Sequence, residues 1–558
     1  MIQKFLNSQT KSISAASLIL AISYLASAFL GLIRDRLLAG TFGAGNELDV
    51  YYTAFTVPDF VALILIFGAI SAAVIPIFSS YLVKSKDEAW AYLSRLFNVF
   101  LGFLIIVCVI LIVFTPAIIS LIAPGFSDSK KDLAVMLMRI MFLSPIILGA
   151  SNMVSGVLQV FHRFLITALA PLLYNLGIII GILFFVPKFG LQGLAWGVVL
   201  GGVLHLAVQL PAFFFSGFKY KASFDYKDPG VIKTIKMMIP RSLGLGAGQL
   251  NTIATTAIAS TLMAGSIAVF NLANNLSSIF ITAIAVSVST ASFPAMSMAF
   301  LKEDGEFLKK FSNVFRQILF LVIPAGLLLL ILRAQIVRVI LGAGRFDWAD
   351  TKLTTACLGI LALNLVAQSL ILFLSKTFYA AHNTKIPATV SVLTVVFNII
   401  LSLGLVWLVR FSDSFNLFLQ GFLRLGGVQN IGVIALAIAY TITAILEACL
   451  LLYMFYKKFF APRSLGEVGS KTSHVKEISS SLRKILIATF VMFVATYLVR
   501  QILGSVVSLQ TFWGIFFQLI ISGAVGVVTY AYTTYLLKSQ EYKAIADSFL
   551  KRFLSPAK

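Results

Sequence analysis

Gly31-Leu32-Ile33-Arg34-Asp35-Arg36 closes an apolar run, Phe42-Gly43-Ala44-Gly45 turns the chain, and the apolar segment that follows carries Asp49, Pro58 and Asp59. This stretch, 27–82, decides the fold, because it sets charge at membrane depth. An ionisable side chain in hydrocarbon costs at least about 2.5–3.5 kcal/mol on insertion scales, so it faces a bundle interior or a wet cavity. The stretch is therefore a candidate lining for a pathway through a membrane.

Outward from it the chain keeps the same character. Of its 558 residues, 59% are hydrophobic and 11% charged, against roughly 45–50% and about 25% in soluble domains. That balance excludes a soluble enzyme and implies an all-α polytopic membrane protein. A helix needs about 20 apolar residues to cross a core of about 30 Å. Fourteen runs qualify, near 13–33, 50–82, 93–121, 133–160, 164–187, 191–216, 234–261, 266–299, 314–333, 354–380, 386–409, 431–456, 484–503 and 511–537. Fourteen transmembrane helices are expected.

The first run follows Lys4 and Lys11 and contains Ala26-Ser27-Ala28, which looks like a signal cleavage site. Its apolar stretch is too long for a signal peptide and reads as a retained helix. Cys108, Cys357 and Cys449 all fall in apolar runs, so no disulfide framework is implied. His162, His205, His382 and His474 have no ligand spacing, and no metal or cofactor is expected. Intramembrane glycosyltransferases and proteases need catalytic Asp, Glu, His or Ser pairs near one membrane face. No such pair with a plausible general base is found, and the chain is not expected to be an enzyme.

Membrane topology accounts for most of the net charge of +22. With both termini cytoplasmic, about 30 of the 43 Lys and Arg lie inside, densest in 457–484, as the positive-inside rule requires. Basic loops that orient helices and touch anionic lipid explain most of them, and nucleic acid is not implied.

The second half repeats the first. Ile70-Ser71-Ala72-Ala73-Val74-Ile75-Pro76 returns as Val288-Ser289-Thr290-Ala291-Ser292-Phe293-Pro294, and Tyr174-Asn175 as Phe397-Asn398. Each copy holds six helices. An even number keeps both in the same orientation, so the expected architecture is two six-helix lobes related by a pseudo-twofold axis along the membrane normal. The lobes are 1–218 and 219–456, followed by a basic cytoplasmic linker at 457–483 and two additional helices with a tail at 484–558. A substrate cavity between lobes is expected.

The order Gly31-x-x-Arg34-Asp35, Phe42 through Pro58, and Gly68-Ala-Ile-Ser71-Ala-Ala73-Val-Ile-Pro76 resembles the N-terminal signature of the MurJ/MviN family, the lipid II flippases of bacterial cell-wall synthesis. The likeness continues through Pro171 to Asn175, Gly193 to Gly202, Phe378 to Pro387 and Ala435 to Tyr440. It implies the two-lobed fold of the multidrug/oligosaccharidyl-lipid/polysaccharide exporters, in the bacterial cytoplasmic membrane. It also implies a lipid-linked glycan substrate, undecaprenyl-pyrophosphate-linked muropeptide, flipped by alternating access. The chain is expected to act as a monomer among membrane lipids. In the family the two last helices form a groove for the lipid tail; packing as peripheral helices is the other reading.

A pyrophosphate headgroup needs cations in the cavity, and arginine binds phosphate oxygens in pairs. Family members carry arginines where this chain has Ala28, Ala62 and Asn275, while Arg34 and Asp49 keep the family residue. Arg34 either faces the cavity or pairs with Asp35 or Asp49. Arg241, after Pro240 at the start of the seventh helix, is expected to compensate, with Gln249 and Asn251 beyond it and Asn271, Asn274 and Asn275 on the next helix. The expected substrate-binding set is thus Arg34, Asp49, Arg241, Asn271 and Asn275. Glu447 is the one well-embedded acid of the second lobe, and sequence offers a proton relay there no partner. The missing arginines favour, as an alternative, an exporter of another lipid-linked oligosaccharide or an amphipathic compound.

Overall fold

A computed structural model describes residues 13–67, 74–302, 306–428, 431–460 and 468–554; the side chains of some helical stretches, 240–245 among them, lie outside the description. Among the described residues there are helices and no strands. Eleven helices are long and apolar enough to cross a membrane. The runs near 13–33, 50–82 and 234–261 are helical wherever they are described, but are not among the eleven. The all-α polytopic architecture is as the composition implied.

Packing divides the chain into two compact units, Met1–Ala268 with Ala343–Phe346, and Val269–Gly342 with Asp347–Lys558. The first holds α1 (Ile13–Phe42), α2 (Asn46–Val61), α3 (Ile75–Lys84), α4 (Lys86–Ile122), α5 (Asp128–Met141), α6 (Leu143–Val160), α7 (Phe164–Ile180), α8 (Leu191–Ala207) and α9 (Pro229–Ser260). Gly43, at a left-handed φ of 66°, breaks α1 from α2, and Glu47 and Asp49 in the first turn of α2 suit the positive end of its dipole.

Helices α7 and α8 meet on glycine. A Cβ on Gly177 would lie 2.3 Å from the Gly201 Cα, and one on Gly181 would lie 2.4 Å from the Gly197 Cα. The spacing of four on both helices lets the backbones touch, which is how membrane helices gain dispersion energy where lipid offers no hydrophobic drive.

Helix α9 starts earlier than its hydropathy suggests. Asp228 caps it, accepting from the Gly230 and Val231 backbone N–H groups at 2.8 and 3.1 Å, and Pro229 occupies the first helical position. Arg95 pairs with the Asp228 carboxylate, and Tyr92 shares a 2.7 Å hydrogen bond with Thr234. Arg241 is therefore roughly three turns inside the helix, not at its start.

The packing division falls inside α10 (Ser266–Phe280), which is followed by α11 (Ser287–Lys302), α12 (Glu306–Ile340), α13 (Trp348–Ala380), α14 (Lys385–Phe411), α15 (Asp413–Leu423), α16 (Gly432–Phe455), α17 (Val468–Val506), α18 (Phe512–Leu536) and α19 (Gln540–Leu554). In the second unit α13 packs on α12 and α16, and α14 on α16. Phe311, Phe373 and Phe455 stack at the centre of that layer, with ring centroids 4.0 Å apart for Phe311 and Phe455.

The lengths echo the repeat. Spans starting at Lys86, Asp128 and Phe164 have counterparts starting 220, 220 and 221 residues later, at Glu306, Trp348 and Lys385. Each half also carries a π-helical segment before its proline motif, 62–67 and 281–286; such segments concentrate at functional sites. The amphipathic α15 has no helical counterpart in the first half, where Gly190 alone joins the spans ending at Phe189 and beginning at Leu191. The two final spans, α17 and α18, pack on each other and on α12, and the Tyr530 hydroxyl donates to the Phe320 carbonyl at 2.8 Å.

Candidate substrate cleft of the first unit

The charges quoted at the outset find separate partners within the fold. Arg34 donates from Nε and Nη2 to Asp35 Oδ1, at 3.0 and 2.8 Å, and from Nη1 to Asn175 Oδ1 at 3.1 Å. Asn175 is fixed in turn by donating to the Ser27 hydroxyl at 3.2 Å and the Pro171 carbonyl at 3.3 Å. Side chains from α1 and α7 thus hold the guanidinium in one orientation. Asp35 is sealed at 4% exposure while Arg34 keeps 24%. Three of the five guanidinium N–H groups are spent on these bonds, so the exposed edge can serve an anion. Of the two expectations for Arg34, the geometry shows the ion pair, and with Asp35, not Asp49.

Tyr51, Tyr52 and Asp35 are near enough to Arg34 to feel its charge, and Tyr174 feels both Arg34 and Asp59. The Tyr52 hydroxyl is buried without a hydrogen-bond partner among the described residues, and such a group asks for a ligand or a water. Asp59, on α2, is exposed and accepts a hydrogen bond from Gln249 of α9. Asp59 is thus an exposed acid on α2 that the expected ligand set omitted, although the sequence did show it in an apolar segment. Asn175 was also missed as a ligand holder, since its partner is 141 positions away.

Asp49 does something else. Its Oδ2 accepts from the Gly265 N–H at 2.7 Å and its Oδ1 from the Ala268 N–H at 2.9 Å, at 3% exposure. This is an N-terminal cap for α10 supplied from another helix, so the geometry accounts for Asp49 without a substrate. Asn271 and Asn275 lie one turn apart on α10, in the second unit, both half-buried. The Arg241 side chain lies outside the described residues. Ala62 is buried at the start of the first π-helical segment.

Glu447 has a partner after all: the Ser391 hydroxyl donates to its Oε1 at 2.7 Å across α14 and α16. One turn earlier on α16, Thr443 donates to Asn398 Oδ1 at 3.3 Å. Sequence could not join these residues, because 56 positions separate Ser391 from Glu447.

The family model described as "Lipid II flippase MurJ" matches residues 38–518. The chain belongs to the MurJ family. A probable lipid II flippase MurJ of Buchnera aphidicola subsp. Schizaphis graminum is 32% identical over 382 residues, covering 67% of this chain and 74% of that protein. The solved lipid II flippase MurJ in an inward closed conformation superposes with a TM-score of 0.73 at 24% identity, covering 93% of this chain and 99% of that one. An inward-facing multidrug resistance MATE family transporter of the MOP superfamily gives 0.59 at 17% identity, covering 79% and 99%. These two likenesses establish the fold. As a MurJ-family protein the chain is a multi-pass transporter of the bacterial inner membrane, with a lipid-linked substrate and membrane lipids as its partners.

Proposed function

We propose that this protein flips lipid II, the undecaprenyl-pyrophosphate-linked peptidoglycan precursor, across the cytoplasmic membrane by alternating access, acting as a monomer without catalysing a chemical step. Family membership over residues 38–518 carries the reading, and the buttressed Arg34 supports it chemically. A guanidinium held by Asp35 and Asn175 meets the pyrophosphate with its orientation already set, so less entropy is lost on binding. Arg241 adds charge from α9, and Asn271 and Asn275 offer neutral donors to sugar or phosphate oxygens. The full span count in this reading is fourteen, with both termini inside, and α17 with α18 forms the groove for the lipid tail.

Asp59 favours one variation. With Ala28, Ala62 and Asn275 where the resemblance implies arginines, and an exposed acid at Asp59, this reading takes a headgroup less anionic than that of lipid II, as in another lipid-linked oligosaccharide. Complementation separates the two. Expressed in a bacterium depleted of its resident lipid II flippase, the chain should restore growth and surface exposure of lipid II. If it is stably inserted and restores neither, the lipid II reading fails and the second stands.

A further inference from the structure

One end of the second unit, which α17 reaches after leaving the basic segment of the sequence, gathers arginine. Arg333 follows the apolar run 327–332 of α12, and Arg500 follows the apolar run 491–499 of α17, positions from which a long arginine side chain can reach headgroups. Arg500 Nη1 donates to the Ile331 carbonyl at 2.8 Å, two residues from Arg333. The Gln518 amide ties the Arg500 carbonyl at 2.8 Å and takes a 3.0 Å bond from Gln335. The fields of Arg500 and Arg424 both reach Arg333.

Arg333 has no hydrogen-bond acceptor or carboxylate among the described residues. Its guanidinium lies flat on α13, where a Cβ on Gly359 would come within 2.8 Å of Nη1. Arg424 caps α15 in a left-handed conformation, φ 56°, which glycine or asparagine usually fills. Lys352 bonds the Gly426 carbonyl at 3.0 Å and so ties the Arg424 turn to the start of α13. The nearby acids Asp347 and Asp350 are engaged in the capping box of α13. Lys352, which holds the Arg424 turn, stands about two turns along α13 from the Gly359 under Arg333, and Arg500 bonds two residues from Arg333; like charges so placed repel, and an anion among them relieves that cost.

The adjoining helix says which anion. Ser412 caps α15, Asn416 donates to the Val409 carbonyl and Gln420 to Asn416, and Leu417, Phe418 and Phe422 are exposed at 67, 63 and 75%. A short amphipathic helix with that face lies in the interface with its apolar side among acyl chains, which sets the Arg424 that follows it at headgroup level. We propose that Arg333, Arg424 and Arg500 form a binding site for the phosphate of an anionic lipid headgroup in the outer leaflet. It is separate from the cleft of the first unit and does not depend on which lipid the protein flips.

Thermal unfolding of the full chain in detergent, titrated with short-chain phosphatidylglycerol, phosphatidylcholine or inorganic pyrophosphate, tests it. Phosphatidylglycerol should raise the unfolding temperature more than phosphatidylcholine does, and pyrophosphate should do little. Arg424→Gln and Arg333→Gln should each need about tenfold more phosphatidylglycerol for the same shift, the loss of roughly one charged contact. An unchanged response in both variants overturns the site, and pyrophosphate matching phosphatidylglycerol overturns the lipid assignment. If Arg333→Gln does not fold, the exposed Arg424 decides alone.

Discussion

Arg34 and Asn175 are joined by a 3.1 Å hydrogen bond from Nη1 to Oδ1, across 141 positions of sequence. The bond turns a lone intramembrane cation into an oriented one, because Asn175 is itself tied to Ser27 and Pro171. Asn175→Ala is expected to slow transport about tenfold, the scale of one lost hydrogen bond to a charged group, with the protein still folded and inserted. Flipping rate measured beside thermal unfolding checks this; an unchanged rate would separate Arg34 orientation from transport.

Asp49→Ala removes the cap of α10 and should cost about 0.5–2 kcal/mol of stability. The unfolding temperature falls while folded molecules keep transporting. Transport lost at an unchanged unfolding temperature would make Asp49 a substrate ligand and not a cap.

Glu541 gives the fold a pH dependence outside the membrane spans. Burial raises its pKa, but hydrogen bonds from Ser539, its own backbone N–H and Ser481, with the Arg316 charge, outweigh burial and hold it below the ordinary carboxylate range. Arg316 Nη1 lies 3.5 Å from Glu541 Oε1. A depressed native pKa stabilises above the unfolded value and is lost as pH falls through the native one. Docking of α19 should therefore be at full strength at neutral pH and weaken only below the ordinary glutamate range. Hydrogen exchange of the first turns of α19 should show that loss in the wild type and a pH-independent, lower protection in Glu541→Gln. Equal protection in both at neutral pH would count against the ion pair.

Gly197→Leu should prevent α7 and α8 from closing, since even a Cβ there meets the Gly181 Cα at 2.7 Å, and the variant is expected to express poorly or unfold early. Gly404→Ala, with nothing within 4 Å of its added Cβ, should be neutral or gain up to about 1 kcal/mol. Comparing unfolding temperatures distinguishes glycine kept for close packing from glycine that is merely tolerated.

Hydropathy made the helices legible because hydrocarbon demands about 20 apolar residues wherever the chain crosses. It misplaced the start of α9, where the chain begins coiling at Asp228-Pro229 for reasons of capping, ahead of any apolar run. The charges of 27–82 were visible as a group, and Arg34 with Asp35 could be paired by adjacency. What stayed hidden was every partner set by packing: Asn175 for Arg34, Gly265 and Ala268 for Asp49, Gln249 for Asp59, Ser391 for Glu447. A carboxylate that caps a helix 216 positions away looks, in sequence, the same as one that binds substrate.

The most direct measurement is translocation of labelled lipid II by the purified protein in sealed vesicles, with Arg34→Ala run beside the wild type. The account predicts flipping well above protein-free vesicles for the wild type, and a loss of roughly tenfold to a hundredfold for Arg34→Ala at a similar unfolding temperature, as expected for one charged phosphate contact of about 1.5–3 kcal/mol. Wild-type vesicles that move lipid II no faster than empty ones would contradict it.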